Sequence, residues 1–210
     1  METLDSAEVR VLGSLIEKEA ATPEYYPLTL NALLAACNQK SNRDPVVDYD
    51  ESTLRDAIEG LRAKGLMLIM EGSRATKYGQ RLSEKLNLGR RELAVLCVLM
   101  LRGPQTLGEL KDRSERMYSF GDLSETETVL EKLSSRPEGP LVLKLPRQPG
   151  QRELRYAQLL SGEPEPQSAE AIEIPQPSSR LSALEQEVRQ LRSELEELRS
   201  RFDRLATQFE

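Results

Sequence analysis

Apolar residues recur at helical spacing from Ser6 to Ala20, with Leu12, Leu15, Ile16 and Ala20 on one face. Asp5 is placed to cap this helix, and Glu8 stands three residues later, where a capping box needs it. Thr22-Pro23 and Tyr26-Pro27 break the chain, because a residue before proline avoids the helical region. A second helix, Thr29 to Cys37, carries Leu30, Leu33 and Leu34, and a polar loop runs from Asn38 to Pro45. A third helix begins at Asp50, carries Leu54, Ala57, Ile58 and Leu61, and stops at Gly65. Leu66 to Met70 then reads as a strand, Gly72-Ser73-Arg74 as a turn, and Ala75 to Tyr78 as the returning strand.

The same order recurs. Arg90 to Leu101 is an apolar helix broken by Gly103-Pro104, and Thr106-Leu107-Gly108-Glu109 opens the next helix with a capping box. Ser124-Glu125-Thr126-Glu127 reads as a further capping box, opening a helix with Val129, Leu130 and Leu133. Leu141 to Leu145 and Glu153 to Leu159 form a hairpin about Pro149-Gly150. Val11 aligns with Val95, Leu30 with Leu107, Ile58 with Leu130 and Tyr78 with Tyr156, the pattern of a duplicated unit rather than of a solenoid. Three helices closed by a two-stranded hairpin describe the winged-helix form of the helix-turn-helix. The expected fold is therefore mainly α with small β-hairpins (α+β), as two tandem winged-helix domains, residues 1–88 and 89–160.

Residues 161–179 hold Pro164, Pro166, Pro175 and Pro177 with four glutamates and read as an acidic linker. Residues 180–210 then carry Leu184, Val188, Leu191, Leu195, Leu198, Phe202 and Leu205 at alternating spacings of three and four, a coiled-coil seam. Parallel pairing would set Glu187 against Arg192 and Glu194 against Arg199 of a second copy, so a parallel homodimer is expected. The alternative is a helix folded back on its own body.

Composition removes several function classes. The longest apolar run, Leu93 to Leu101, is too short to span a bilayer, and the acidic N-terminus lacks a signal core, so a cytoplasmic protein without a membrane partner is expected. Histidine is absent, which removes the commonest metal ligand and general base. Cys37 and Cys97 lie in apolar helices and read as buried thiols, too few for a structural zinc site. No phosphate-binding loop or dinucleotide glycine pattern appears, so neither metal nor cofactor is expected. Ser14 and Lys18 sit one helical turn apart, a spacing that arises often by chance, and no enzyme is expected.

Binding is the remaining prospect. Net charge is −6, split as −3 over residues 1–88, +2 over 89–160 and −5 over 161–210, so no segment has the basic excess of a non-specific DNA binder. The third helices carry Asp50, Glu51, Asp56 and Glu59 in one copy and Glu125, Glu127 and Glu131 in the other, and phosphates would repel them. Basic and amide residues gather elsewhere. Asn38, Gln39, Lys40, Asn42 and Arg43 form one loop group, and Arg113 and Arg116 form another, followed by Met117, Tyr118 and Phe120. Tyr118 and Phe120 are expected to pack between the domains. Arg74 and Lys77, and Arg147 and Arg152, mark the two wings. Such groups could hold DNA phosphates or an acidic protein. DNA association stands first because the fold is so often used that way, with a protein–protein adaptor as the alternative.

The blocks Leu15 to Glu19, Thr22 to Asn31, Ala36 to Val46, Leu101 to Thr106, Arg116-Met117-Tyr118 and Pro149 to Glu153 together resemble the YceH-like family of bacterial proteins. The resemblance spans residues 5–162. It implies a tandem winged-helix fold and a soluble bacterial protein, and it carries no activity and no functional residues across.

Overall fold

The computed structural model describes residues 2–72, 75–147 and 153–163. The first helix, α1 (Ser6–Ala21), starts where its local chemistry directs. The Asp5 side chain accepts from Glu8 N at 2.8 Å, and the Glu8 carboxylate accepts from Asp5 N at 2.8 Å. After a single 3-10 turn, Pro23–Tyr25, come β1 (Leu28–Thr29), α2 (Leu30–Cys37) capped by Thr29, and α3 (Glu51–Ala63) capped by Asp50. Gly65, at φ +66°, takes the left-handed position just past the end of α3, which a residue without a Cβ adopts free of strain. The first repeat closes with β2 (Met67–Met70), β3 (Lys77–Gln80) and a short helix, α4 (Leu82–Leu86).

The second repeat runs α5 (Arg90–Arg102), β4 (Gln105–Thr106), α6 (Leu107–Ser114), α7 (Leu123–Ser134), β5 (Val142–Lys144) and β6 (Arg155–Gln158). The Thr106–Glu109 capping box forms as the sequence expects. The cap of α7 does not. Asp122, rather than Ser124, accepts from Glu125 N at 2.8 Å, and the Glu125 carboxylate accepts from Gly121 N at 2.9 Å. A capping residue three before a glutamate fits both Asp122–Glu125 and Ser124–Glu127. The ionised carboxylate makes the stronger bond at the positive end of the helix.

Each repeat ends in a three-stranded antiparallel sheet rather than the two-stranded hairpin read from the sequence. The orders are β1-β3-β2 and β4-β6-β5. The added strands are two residues long, too short to show alternation. The registers correspond between repeats. Leu28 pairs with Tyr78 as Gln105 pairs with Tyr156, and Leu68 pairs with Gly79 as Leu143 pairs with Ala157. The architecture is α+β, small sheets on a mainly helical body.

The two repeats share one core, and α1 and α5 sit at its centre. Every residue of α1 from Glu8 to Ile16 is buried, as is every residue of α5 from Ala94 to Leu101, so each helix is covered on all sides. Ala20, placed on the apolar face by sequence spacing, is exposed instead. The alignment that pairs Val11 with Val95 also pairs Gly13 with Cys97, and these two residues touch: the Cys97 thiol donates to the Gly13 carbonyl at 3.2 Å. The α1–α5 crossing therefore brings aligned residues of the two repeats into contact. The ends agree. Leu88 N, at the start of the second repeat, donates to Ser83 O at the end of the first, at 2.9 Å. Leu4 N, at the start of the first, donates to Leu160 O at the end of the second, at 2.8 Å.

The same correspondence holds for two buried carboxylates. Glu8 pairs with Lys64 and Glu92 with Lys132, each a lysine from the third helix of its own repeat or its cap. Burial pushes the Glu92 carboxyl up, but the Lys132 ammonium and backbone N–H groups outweigh it and hold the group below its usual range. Cys37 and Cys97 are both free and buried. Burial pushes the Cys37 thiol up to about 11 and drives the Cys97 thiol higher still, so both behave as small apolar side chains.

Candidate functional site

The expected loop group separates into structural and exposed members. Asn38 clamps the loop, accepting from Tyr49 N at 2.9 Å and donating to Tyr49 O at 2.8 Å. Arg43 is buried, with none of its side chain exposed. It donates to Glu17 at 2.6 Å and 3.2 Å and to the carbonyls of Ala36, at 2.9 Å, and Asn42, also at 2.9 Å. Its hydrogen-bonding capacity is spent on the loop, on α1 and on the end of α2, which leaves little for a ligand. Asn42 sits at φ +59°, a conformation asparagine tolerates, and its amide oxygen accepts from Arg102. Gln39 donates to Ser41 and accepts from Lys18 Nζ at 3.2 Å. Lys40 is exposed.

On the second repeat Arg113 donates to Gln105 and pairs with Glu109 at 3.3 Å, while Arg116 is exposed. Tyr118 and Phe120 pack edge to face with centroids 4.8 Å apart. Arg91 lies over the Tyr118 ring, and the Tyr118 hydroxyl donates to Glu125 at 3.0 Å, both within the same repeat. On the wings, Lys77 and Arg147 are exposed. Arg74 and Arg152 lie outside the described residues, as do Leu184, Val188, Leu191, Leu195, Leu198, Phe202, Leu205 and the heptad segment as a whole.

The third helices keep their cations to themselves. Arg55 pairs with Glu51 at 2.6 Å and Arg62 with Glu59 at 3.5 Å, each along its own helix. Lys132 is held by Glu92. Asp56, Glu127 and Glu131 remain exposed. By contrast Lys40, Lys77, Lys144, Arg116 and Arg147 have no carboxylate within ion-pair distance among the described residues.

The fold brings the two loop groups together. Gln39 and Asn42 from the first repeat and Arg113 and Arg116 from the second line one cleft of about 660 Å³. Lys18 and Arg102 line it too, residues that sequence reasoning did not place in a binding group. Arg102 follows the apolar run Leu93 to Leu101 and looks there like an ordinary C-terminal cation, so its role depends on the packing of α5 against the first repeat. Ser14 and Lys18 do not face each other. The Ser14 hydroxyl donates to Ala36 O at 3.5 Å, and Lys18 donates to Gln39. Among the described residues no group of acidic or sulfur ligands is placed to hold a metal ion. No helix among them is long and apolar enough to cross a membrane.

An α+β protein made of two repeated units is thus defined by its geometry, and comparison with known sequences assigns its family. Residues 4–151 match the family described as "Protein of unknown function, DUF480", and the chain belongs to it. It is similar to the UPF0502 protein of Solibacter usitatus, 54% identical over 194 residues, which cover 90% of this chain and 93% of the relative. The UPF0502 protein of Citrifermentans bemidjiense is 58% identical over 164 residues, with 78% and 76% covered. That of Geobacter sulfurreducens is 50% identical over 216 residues, covering 99% of this chain and 98% of the relative. These matches agree with the YceH-like resemblance.

Proposed function

We propose that each repeat is a winged helix and that the protein is a non-enzymatic regulator that associates with DNA through its wings and loops. The observation that carries this reading is the placement of free cations. Those on α3 and α7 are consumed by carboxylates, whereas Lys77, Lys144 and Arg147 on the wings and Lys40 and Arg116 on the loops are exposed and unpaired among the described residues. Cations of this kind hold phosphates and fix register without reading base edges. The reading predicts binding to long duplex DNA at about 50 mM salt that weakens steeply as salt rises, each lost phosphate contact lowering the log–log slope by about one.

A protein–protein adaptor is the second reading, and one observation favours it. Leu68 and Leu143 occupy equivalent positions on the edge strands β2 and β5, and both are exposed, at 39% and 37%. Met70, at 39%, widens the patch on β2. Capture of one stoichiometric protein that survives nuclease treatment, with no retained DNA, would decide for the adaptor.

The reading includes pairing of two chains in parallel through the heptad residues between Leu184 and Leu205. Sedimentation at micromolar concentration is expected to give a dimer, and Leu195→Glu, which puts a charge into the seam, a monomer. A wild-type monomer would remove this part of the reading.

A further inference from the structure

We infer that the cleft between the two repeats is a binding site for a small organic phosphate. Its volume, about 660 Å³, lies in the range of small-molecule sites and far exceeds what an inorganic anion fills. Val98, Leu101 and Met117 are among its lining residues and offer apolar surface to the carbon skeleton of such a ligand. The lining also carries four cations, Lys18, Arg102, Arg113 and Arg116, of which Arg113 is paired with Glu109, and three carboxylates, Glu17, Asp112 and Glu115. Among the described residues the Lys18 side chain donates only to the neutral amide of Gln39, and the Arg102 side chain only to the neutral amide of Asn42. Arg116 makes no hydrogen bond or ion pair among the described residues. Three cations, Lys18, Arg102 and Arg116, therefore line one half-enclosed space with no carboxylate in ion-pair distance among the described residues.

The acidic groups lining the cleft do not cancel them. Glu17 is engaged by Arg43 at 2.6 Å. Asp112 and Glu115 are exposed, so water screens them, and Glu115 accepts from Ser119 at 2.8 Å. Burial, followed by repulsion from Arg113 and Arg43, holds the Arg102 guanidinium below its usual value. A group disfavoured in this way gains most from an incoming anion. Phosphate suits the site better than a single carboxylate because it brings nearly two charges and three strong acceptor oxygens to three donors.

The test uses the full chain without DNA, so its result is independent of the DNA reading. Inorganic phosphate, pyrophosphate, adenosine monophosphate and fructose 1,6-bisphosphate are titrated calorimetrically at millimolar concentration, with adenosine and fructose as uncharged controls. At least one organic phosphate is expected to bind one per chain more tightly than inorganic phosphate, and the controls are expected not to bind. Arg102→Gln should weaken binding about tenfold or more, the loss of one charge-assisted contact. Arg116→Ala, at an exposed position that leaves the fold intact, should weaken it as well. Failure of both adenosine monophosphate and fructose 1,6-bisphosphate to bind more tightly than inorganic phosphate would overturn the proposal. So would binding unchanged in both variants.

Discussion

Arg43→Ala is expected to lower the stability of the folded unit by about 3–5 kcal/mol, measured by chemical denaturation. The side chain is fully enclosed, and its partner Glu17 is 15% exposed. Removing the guanidinium leaves that carboxylate largely out of water without a counter-charge and takes the donors away from the Ala36 carbonyl. Because the pair is buried, added salt should change the loss little. Arg43→Met, which keeps most of the volume, should remain well below wild type. Lys40→Ala, three residues earlier and exposed, should stay within about 0.5 kcal/mol of wild type. Equal, small effects at both positions would mean that Arg43 is a solvated binding residue after all.

Gly13→Leu is expected to cost about 3 kcal/mol, at the upper end of what overpacking a core costs. A Cβ on Gly13 would stand 3.0 Å and 3.1 Å from Leu101 and 3.2 Å from Met100, where α1 crosses its counterpart α5. A leucine has nowhere to go without separating the two helices that hold the repeats together. Gly13→Ala should cost much less, since the crowding of one methyl is offset by about 1 kcal/mol of helix propensity. A Cβ on Gly108, in α6, would meet nothing within 4 Å, and Gly108→Ala should be neutral or stabilising by up to about 1 kcal/mol. Thermal melts of the three variants check the ranking, and a Gly13→Leu protein as stable as wild type would mean that α1 and α5 are not the joint.

What the sequence reveals about this protein depends on how local each signal is. The caps at Asp5 and Thr106 are legible because their partners, Glu8 and Glu109, lie three residues away. The duplication is legible because it repeats an order of elements, and its pairings hold down to the register of Tyr78 and Tyr156. β1 and β4 are not legible, since two residues show no period. Arg43 reads as surface because it lies among Asn38, Lys40 and Asn42, and its burial is set by Glu17, far away in the chain. The cleft is half legible. Gln39, Asn42, Arg113 and Arg116 can be picked out by residue type, but their meeting follows from the packing of the two repeats, which no local pattern encodes.

Fluorescence anisotropy of labelled duplex DNA at about 50 mM salt puts the wing-and-loop account at most direct risk. The account predicts that wild type binds, that Arg74, Lys77, Arg147 and Arg152 changed together to alanine lose most of the affinity and flatten the salt slope, and that Arg55→Ala with Arg62→Ala binds as wild type does. No binding at low salt, or loss on changing Arg55 and Arg62 while the wing variant still binds, would contradict it.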